Sequence, residues 1–397
     1  MANSSASPSE QNDGDRRRAI IAAILTISAV GTGLSLMLPL LSIELERMGA
    51  SSTLNGINTA VGGLANIVVA PLVPMLAQRL GQRRLVAIAL GALIGSVLLF
   101  KLLPNIGVWF LLRFTFGGAI GTLFVMSEFW IAASAPEARR GLIMGFYATV
   151  LALGFAAGPA VLALTGTLGW APYIGCSGLI LLAVLPLWLL PGRLPPLEQT
   201  PHPRVLPLVR AAPIATLAAL ICGAIESGIF GQFPVYGLRV GLSEREAAML
   251  VTWAALGNLA LQMPLGWLSD RVDRRKVLLA CATTSMLGAL AMLVMPPGSP
   301  VFLVLLFFWG GLGGAIYTVG LAHLGSRFSG GEIAVANAAF VVLYSIGMMV
   351  GPPIAGAAMD IGGPPGLPLG FAAILLAYVV VIVWRLRRLD FPPPIRS

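Results

Sequence analysis

The sequence predicts an all-α integral membrane protein, with twelve transmembrane helices arranged as two pseudo-symmetric six-helix bundles. Three observations predict it. Of the 397 residues, 57% are apolar and only 10% charged, and the mean hydropathy is +0.89. Apolar runs of ~20 residues, the length that crosses ~30 Å of hydrocarbon as a helix, recur along the whole chain. The breaks between them are short and polar, without the long alternating segments that an outer-membrane barrel requires.

Twelve spans are placed at about 19–45, 53–77, 83–103, 106–134, 140–165, 168–190, 210–239, 245–269, 275–295, 299–325, 332–358 and 366–387. Residues 1–18 read as a polar, disordered N-terminus ending in Arg16, Arg17 and Arg18. The apolar stretch that follows runs to Ile43, too long for a cleaved signal peptide, so the first span is retained. The stretch "PGRLPPLEQTPHPRVLP" opens a proline-rich linker at 191–209 between an N-terminal bundle, 19–190, and a C-terminal bundle, 210–388. Residues 389–397 form a tail.

The net charge of +9 raises nucleic acid as a partner in a soluble domain, but here the basic residues lie in the breaks between spans and report orientation. With the N-terminus inside, 20 Lys and Arg residues fall in cytoplasmic segments and 4 (Arg47, Lys101, Arg239 and Arg245) in external ones. That bias predicts both termini in the cytoplasm and residence in the cytoplasmic (inner) membrane. Cys176, Cys222 and Cys281 lie within apolar runs without C-x-x-C spacing, and the two histidines are His202 and His323. Neither a disulfide framework nor a zinc site is expected.

The halves repeat. At an offset of 192, Asn66 falls on Asn258, Gly49 on Gly241, Arg79 on Arg271, Arg83 on Arg275 and Arg84 on Lys276. At 193, "GFAAGP" (154–159) falls on "GMMVGP" (347–352), and Gly117, Gly118 and Gly121 fall on Gly310, Gly311 and Gly314. A doubled six-helix unit is the simplest account, because shared composition matches glycines but does not also align the basic loops.

At these residues the chain resembles the major facilitator superfamily. "GWLSDRVDRRK" (266–276) is similar to the signature loop between helices two and three of a half, and "LGFAAGP" to the glycine–proline motif of helix five. "SEFWIAASAPEARRGLIMGFYATVLALGFAAGP", with "NLALQMPLGWLSDRVDRRK", resembles the YcaD-type branch. One departure is Gln78, where the family's first-half loop carries aspartate.

The resemblance implies a cytoplasmic gate. An acid at one helix end faces the electropositive N-terminus of a helix in the other half, while arginines bind carboxylates and helix C-termini there. The gate residues are Gln78, Arg79, Arg83, Arg84, Glu128, Arg140, Asp270, Arg271, Arg274 and Arg275. Asp270, Arg271 and Arg275 are expected to latch the cytoplasmic side when the pocket faces outward, and the uncharged Gln78 weakens the first-half latch. Anchoring by the positive-inside rule is the alternative, though anchors need no aspartate.

Ionisable groups inside spans are costly and count as functional candidates. Glu226, about 16 residues or ~24 Å along span seven, lies near mid-membrane in a helix that lines the central cavity by resemblance. It is the first proton-coupling candidate, with Glu128 and His323 as the others; packing through a hydrogen bond is the alternative for Glu226 and His323. Arg113, in "RFTFGG", resembles the family's helix-four arginine; it binds an anionic substrate, pairs with a carboxylate, or reaches the outer interface. Glu128 lies ~22 Å further along that helix and is placed in the gate, against Arg83 or Arg140.

Thr32, Ser35, Arg113, Glu226, Phe230, Gln232, Trp309 and Tyr317 are the substrate-cavity candidates, and their mixture suits a small amphipathic organic molecule. Gly154, Gly158 and Pro159, repeated as Gly347, Gly351 and Pro352, open a close-packed face and weaken a turn, so these helices are expected to pack tightly and bend. In the family the full motif accompanies exchangers.

The expectation is therefore a proton-coupled secondary transporter working by alternating access, with export favoured over uptake. A membrane-embedded enzyme needs nucleophiles, metal ligands or a cofactor motif, and no HExxH, P-loop or pair of intramembrane aspartates is present. A sensory protein is the third class. The partners expected are a small-molecule substrate, protons and the lipid bilayer, with the chain acting as a monomer and without nucleic acid, metal or cofactor.

Overall fold

The computed structural model describes residues 13–136, 140–182, 185, 211–328 and 331–387. They form twelve helices: α1 (Asp13–Arg47), α2 (Ser52–Leu80, with a 3-10 turn at Ala70–Leu72), α3 (Gln82–Leu102), α4 (Ile106–Ser134), α5 (Arg140–Thr165), α6 (Ala171–Leu182), α7 (Pro213–Arg239), α8 (Glu244–Arg271), α9 (Arg274–Ala291), α10 (Pro300–Gly325), α11 (Gly331–Gly362) and α12 (Gly366–Arg387). Nine of them are each long and apolar enough to cross a membrane. The helix order and spacing follow the sequence expectation closely.

One difference has a physical reason. α1 starts at Asp13, so residues 13–18 are helical rather than disordered; Asp15 complements the helix N-terminus and lies 3.8 Å from Arg18 one turn on. α5 and α11 run without interruption through Pro159, Pro352 and Pro353. The glycines around these prolines serve close packing: Gly154 and Gly158 lie on Thr32, Ser35 and Leu36 of α1, while Gly347 and Gly351 lie on Leu220 and Ala224 of α7. The linker at 191–209, the tail at 389–397 and residues 1–12 lie outside the described residues.

The repeat is visible in the packing. Gly117, Gly118 and Gly121 of α4 approach Gly62, Val69 and Asn66 of α2, and Gly310, Gly311 and Gly314 of α10 approach Ala254, Leu261 and Asn258 of α8. The main apolar core of the first half lies around Trp109, Phe116 and Trp130 and that of the second around Phe233, Trp309 and Phe371, with a smaller cluster around Leu324 and Phe340. Outward-facing residues such as Leu111, Leu164, Met263 and Val294 are exposed and apolar, as a helix surface against lipid requires. Contacts between halves run chiefly along two seams, α2 with α11 and α5 with α8, and between α1 and α7.

Candidate functional site

Short turns build one end of the molecule. α1 and α7 each finish at an arginine, Arg47 and Arg239, and the chain reverses at Gly49 (φ 77°) and Gly241 (φ 85°), a conformation that glycine adopts without a Cβ clash. Ser51 and Ser243 then cap the following helices, accepting from Leu54 N at 3.1 Å and Glu246 N at 3.3 Å. Arginines at two helix ends are thereby set against the start of the next helices, α2 and α8.

This end is closed by charge. Arg239 Nε donates to Glu46 Oε1 at 2.9 Å across the two halves, and its Nη1 reaches Asp360 Oδ1 at 3.3 Å. Asp360, in the last turn of α11, accepts from the backbone N–H groups of Ser52 (2.9 Å) and Thr53 (2.8 Å) and from Thr53 Oγ1 (2.7 Å). A carboxylate from one half thus sits on the positive N-terminus of a helix of the other. On the second seam Arg47 bridges Glu44 and Glu244, donating through Nε to Glu244 Oε1 at 3.0 Å, and the Thr167 hydroxyl also donates to Glu244. At the offsets of the internal repeat Ser52 corresponds to Glu244 and Thr167 to Asp360, so the two seams close by the same device with the acid moved from one helix to the other.

Replacing Asp360 by alanine removes several charge-assisted hydrogen bonds at once and should loosen this closure by about 2 kcal/mol, a shift of roughly 30-fold in the closed-to-open ratio. Spin labels at 168 and 361, both exposed positions on opposite halves, should show the longer distance gaining population in double electron–electron resonance. An unchanged distribution would deny Asp360 this role.

The seam behind the rim is polar. Gln232 is fully buried and donates to Ser52 O (3.1 Å) and Pro352 O (3.2 Å), and Asn55 Nδ2 donates to Gly231 O at 2.9 Å. Ser52 Oγ, Asn55 Oδ1, Thr59 Oγ1 and Gln232 Oε1 are buried there with no protein hydrogen-bond partner.

The opposite, arginine-rich end shows no ion pair between the halves among the described residues. Asp270 pairs with Arg274 one turn away at 3.1 Å, Arg275 with Asp273 at 2.6 Å, and Arg271 stacks over the Trp267 ring at 3.7 Å. All these partners lie within the same loop. The Arg275 guanidinium and N–H hold the Asp273 carboxyl down at about 2, so this capping acid stays ionised. Asp270, Arg271, Asp273, Arg275, His323 and Arg327 line a polar hollow of about 660 Å³. Gln78, Arg79, Arg83 and Arg84 are exposed at the matching turn of the first half, and the side chain of Arg140 is outside the described residues.

Between the two ends stand the acids. Tyr344 of α11 donates to Glu226 Oε2 at 2.8 Å, and its ring packs 5.3 Å from Tyr317 of α10, which packs 5.1 Å from Phe340. One turn nearer the closed end, Phe230 meets Phe155 of the other half at 5.6 Å, edge to face. Glu128 of α4 is exposed between the buried Ser127 and Trp130, and among the described residues no ion pair joins it to an arginine.

The remaining cavity candidates divide. Phe230 and Tyr317 border this region; Thr32 is half-buried against Gly154 and donates to Ser28 O at 3.0 Å, and Ser35 is fully buried and donates to Gly154 O at 3.0 Å, fastening α1 to α5. Trp309 is 2% exposed, donates to Ser285 O at 2.9 Å and belongs to the second core. Gln232 belongs to the closed seam. Arg113 is 1% exposed and donates through Nε to Asn58 Oδ1 at 2.9 Å, so it neither reaches the interface nor pairs with a carboxylate. His323, 8% exposed, ends α10 among the arginines of the hollow. Glu44, Glu46, Arg239, Glu244 and Asp360 are functional residues that the sequence reading did not single out. The usable signal was Asp360, an acid in the last turn of an apolar helix, where the macrodipole disfavours it unless it has a partner elsewhere.

Comparison with known proteins agrees with this architecture. The profile of the Major Facilitator Superfamily matches residues 23–243 and 215–397. The chain is 28% identical over 342 residues to the uncharacterised MFS-type transporter YfkF of Bacillus subtilis (strain 168), covering 84% of this chain and 86% of that one. Among solved structures it is similar to the nucleoside transporter NupG, with a TM-score of 0.74 and 14% identity over 95% of this chain and 99% of that one. A bacterial homologue of the human lysosomal transporter Spinster, in an inward-facing and occupied conformation, is similar at a TM-score of 0.74 and 14% identity, over 96% and 99% of the two chains.

Proposed function

The chain belongs to the major facilitator superfamily and is a multi-pass membrane transporter, and we propose that it exports a small amphipathic organic solute across the cytoplasmic membrane by proton-coupled alternating access. The observation that carries this reading is the asymmetry of the two ends: one is latched between halves by Asp360, Arg239, Glu46, Arg47 and Glu244, while at the other the ion pairs among the described residues, Asp270 with Arg274 and Asp273 with Arg275, lie within the α8–α9 corner. With the arginine-rich end in the cytoplasm, this is the inward-facing form. Rocking exchanges one set of contacts for the other. α8 has an acid at each end, Glu244 and Asp270, so the same rigid helix engages the first half outside in one form and inside in the other.

Proton coupling rests on Glu226, a carboxylate inside α7 held by the Tyr344 phenol, a group that hydrogen-bonds its charged and neutral forms differently. Export is supported by the glycine–proline motif of α5, Gly154, Gly158 and Pro159, which resembles that of exchangers. A thermal-shift panel on purified protein, nucleosides included, selects a stabilising solute. Its flux in proteoliposomes under an imposed pH gradient is then expected to run against the proton. Flux running with the proton would replace export by uptake, and flux indifferent to the gradient would remove the coupling.

A further inference from the structure

One charge buried in the first bundle has no countercharge among the described residues. Arg113 of α4 is 1% exposed, and no carboxylate there forms an ion pair with it. Glu44 and Glu46, the acids at the near end of α1, pair with Arg47 and Arg239, and Glu128 lies ~22 Å away along α4. Trp109 and Phe116, on the same face of α4, are core residues that offer no acceptor. A guanidinium keeps its charge in a protein, and a charge taken out of water needs an opposite one beside it.

Two open donors mark where that opposite charge belongs. Arg113 Nε donates to Asn58 Oδ1 of α2 at 2.9 Å, and on either side of this bond Arg113 Nη2 and Asn58 Nδ2 are buried without a protein acceptor. Asn58 is itself fully buried. Its amide cannot be turned to relieve this, because that would set N–H against N–H. The unpartnered oxygens of α2, on Asn55 and Thr59, belong to the face turned to Gly231 of α7, away from the guanidinium.

We propose that Arg113 and Asn58 hold a small inorganic anion of the halide class, chloride, as a resident part of the first bundle. A monatomic anion accepts from Nη2 and Nδ2 together and also neutralises the guanidinium; a water molecule satisfies the donors and leaves the charge. The site lies ~10 Å from the starts of both α2 and α4. One turn further in, the same two helices meet backbone to backbone at Gly62 and Gly117, so the anion supports a contact already made by close packing. It sits between two helices of one bundle and is not a transported solute, which takes the inference beyond the export reading.

The test is the melting temperature of the purified full-length protein, exchanged into gluconate and titrated with chloride at constant ionic strength. The parent protein is expected to gain about 3 °C or more between ~1 and ~100 mM chloride, with bromide able to substitute. Asn58→Asp puts a carboxylate on the Nε bond and makes the countercharge covalent. This variant is expected to melt in gluconate as high as the parent does in chloride, and to ignore halide. Arg113→Met removes the charge and is expected to lose the halide response as well; Asn58→Asp carries the test if that protein does not assemble.

A parent protein that melts at one temperature in gluconate and chloride would overturn the proposal. A halide response kept in full by Asn58→Asp would do the same, since the anion would then lie elsewhere. Neither solute nor gradient enters this measurement, so its failure is separate from any failure of the transport reading.

Discussion

Alanine at Gly56 or Gly356 is expected to hold the latched end apart. A Cβ on Gly56 would lie 2.8 Å from Pro353 Cα and closer still to the Pro352 carbonyl, and one on Gly356 would lie 2.6 Å from the Ser52 carbonyl carbon and 2.9 Å from Thr53 N. The opposing atoms are backbone, which has no rotamer to change, so relief comes from separating α2 and α11. Overpacking of this kind costs about 1–3 kcal/mol, a shift of roughly five- to 150-fold away from the closed form. Spin labels at 168 and 361 should report the longer distance as the main population, and solute turnover should fall tenfold or more because one of the two closures is lost. Gly310→Ala is the control: its Cβ would meet Ala254 within one bundle, in every state of the cycle, so it should lower the melting temperature and leave the distance distribution where it is. A lower melting temperature without a distance change in Gly56→Ala would place that contact in folding and outside the gate.

Glu226→Gln should abolish pH-driven transport and spare exchange. Glutamine keeps the size of the side chain and can still accept from Tyr344 at the position of Oε2, but it cannot take up or release a proton. Net flux under a proton gradient should fall to the background of empty liposomes. Counterflow of the same solute, which needs no net proton movement, should continue within a few-fold of the parent protein. Retained pH-driven flux would move the proton site to Glu128, the other carboxylate within a span. Loss of both activities together with loss of a monodisperse protein would assign Glu226 to packing, in which the Tyr344 bond ties α7 to α11.

Hydropathy and repeat spacing made most of the fold legible, because bilayer thickness fixes helix length and a duplicated half aligns with itself. They could not resolve azimuth. Trp309, Ser35 and Gln232 lie at the depth expected of cavity residues, yet two of them turn into helix packing and the third into a seam between halves. Depth follows from position along a helix; direction follows from which neighbour the helix leans on, and that is decided by glycines at contacts distant in sequence. Glu226 and Glu128 were legible because charge inside a span needs a reason. Glu46, Glu244 and Asp360 were not, since an acid at a helix end in the headgroup layer is ordinary. Only their convergence, with Asp360 on the start of α2 and Glu244 beside Arg47, makes a latch. The arginine-rich loop is expected to latch one form, and two of its acids, Asp270 and Asp273, have ion-pair partners at the same corner.

The unpartnered oxygens of Ser52, Asn55, Thr59 and Gln232 give the latched end an unusual balance. Each buried group without a partner costs about 1–3 kcal/mol, so the middle of this seal works against itself while the charged rim holds it shut. When the catches release, these four polar groups gain access to bulk water, and their hydration offsets part of the loss of the ion pairs. The cycle therefore trades ions for water at this face, leaving its two forms near enough in free energy to interconvert. Solutes excluded from protein surfaces, which draw water off such crevices, bear on this balance as directly as the substrate does.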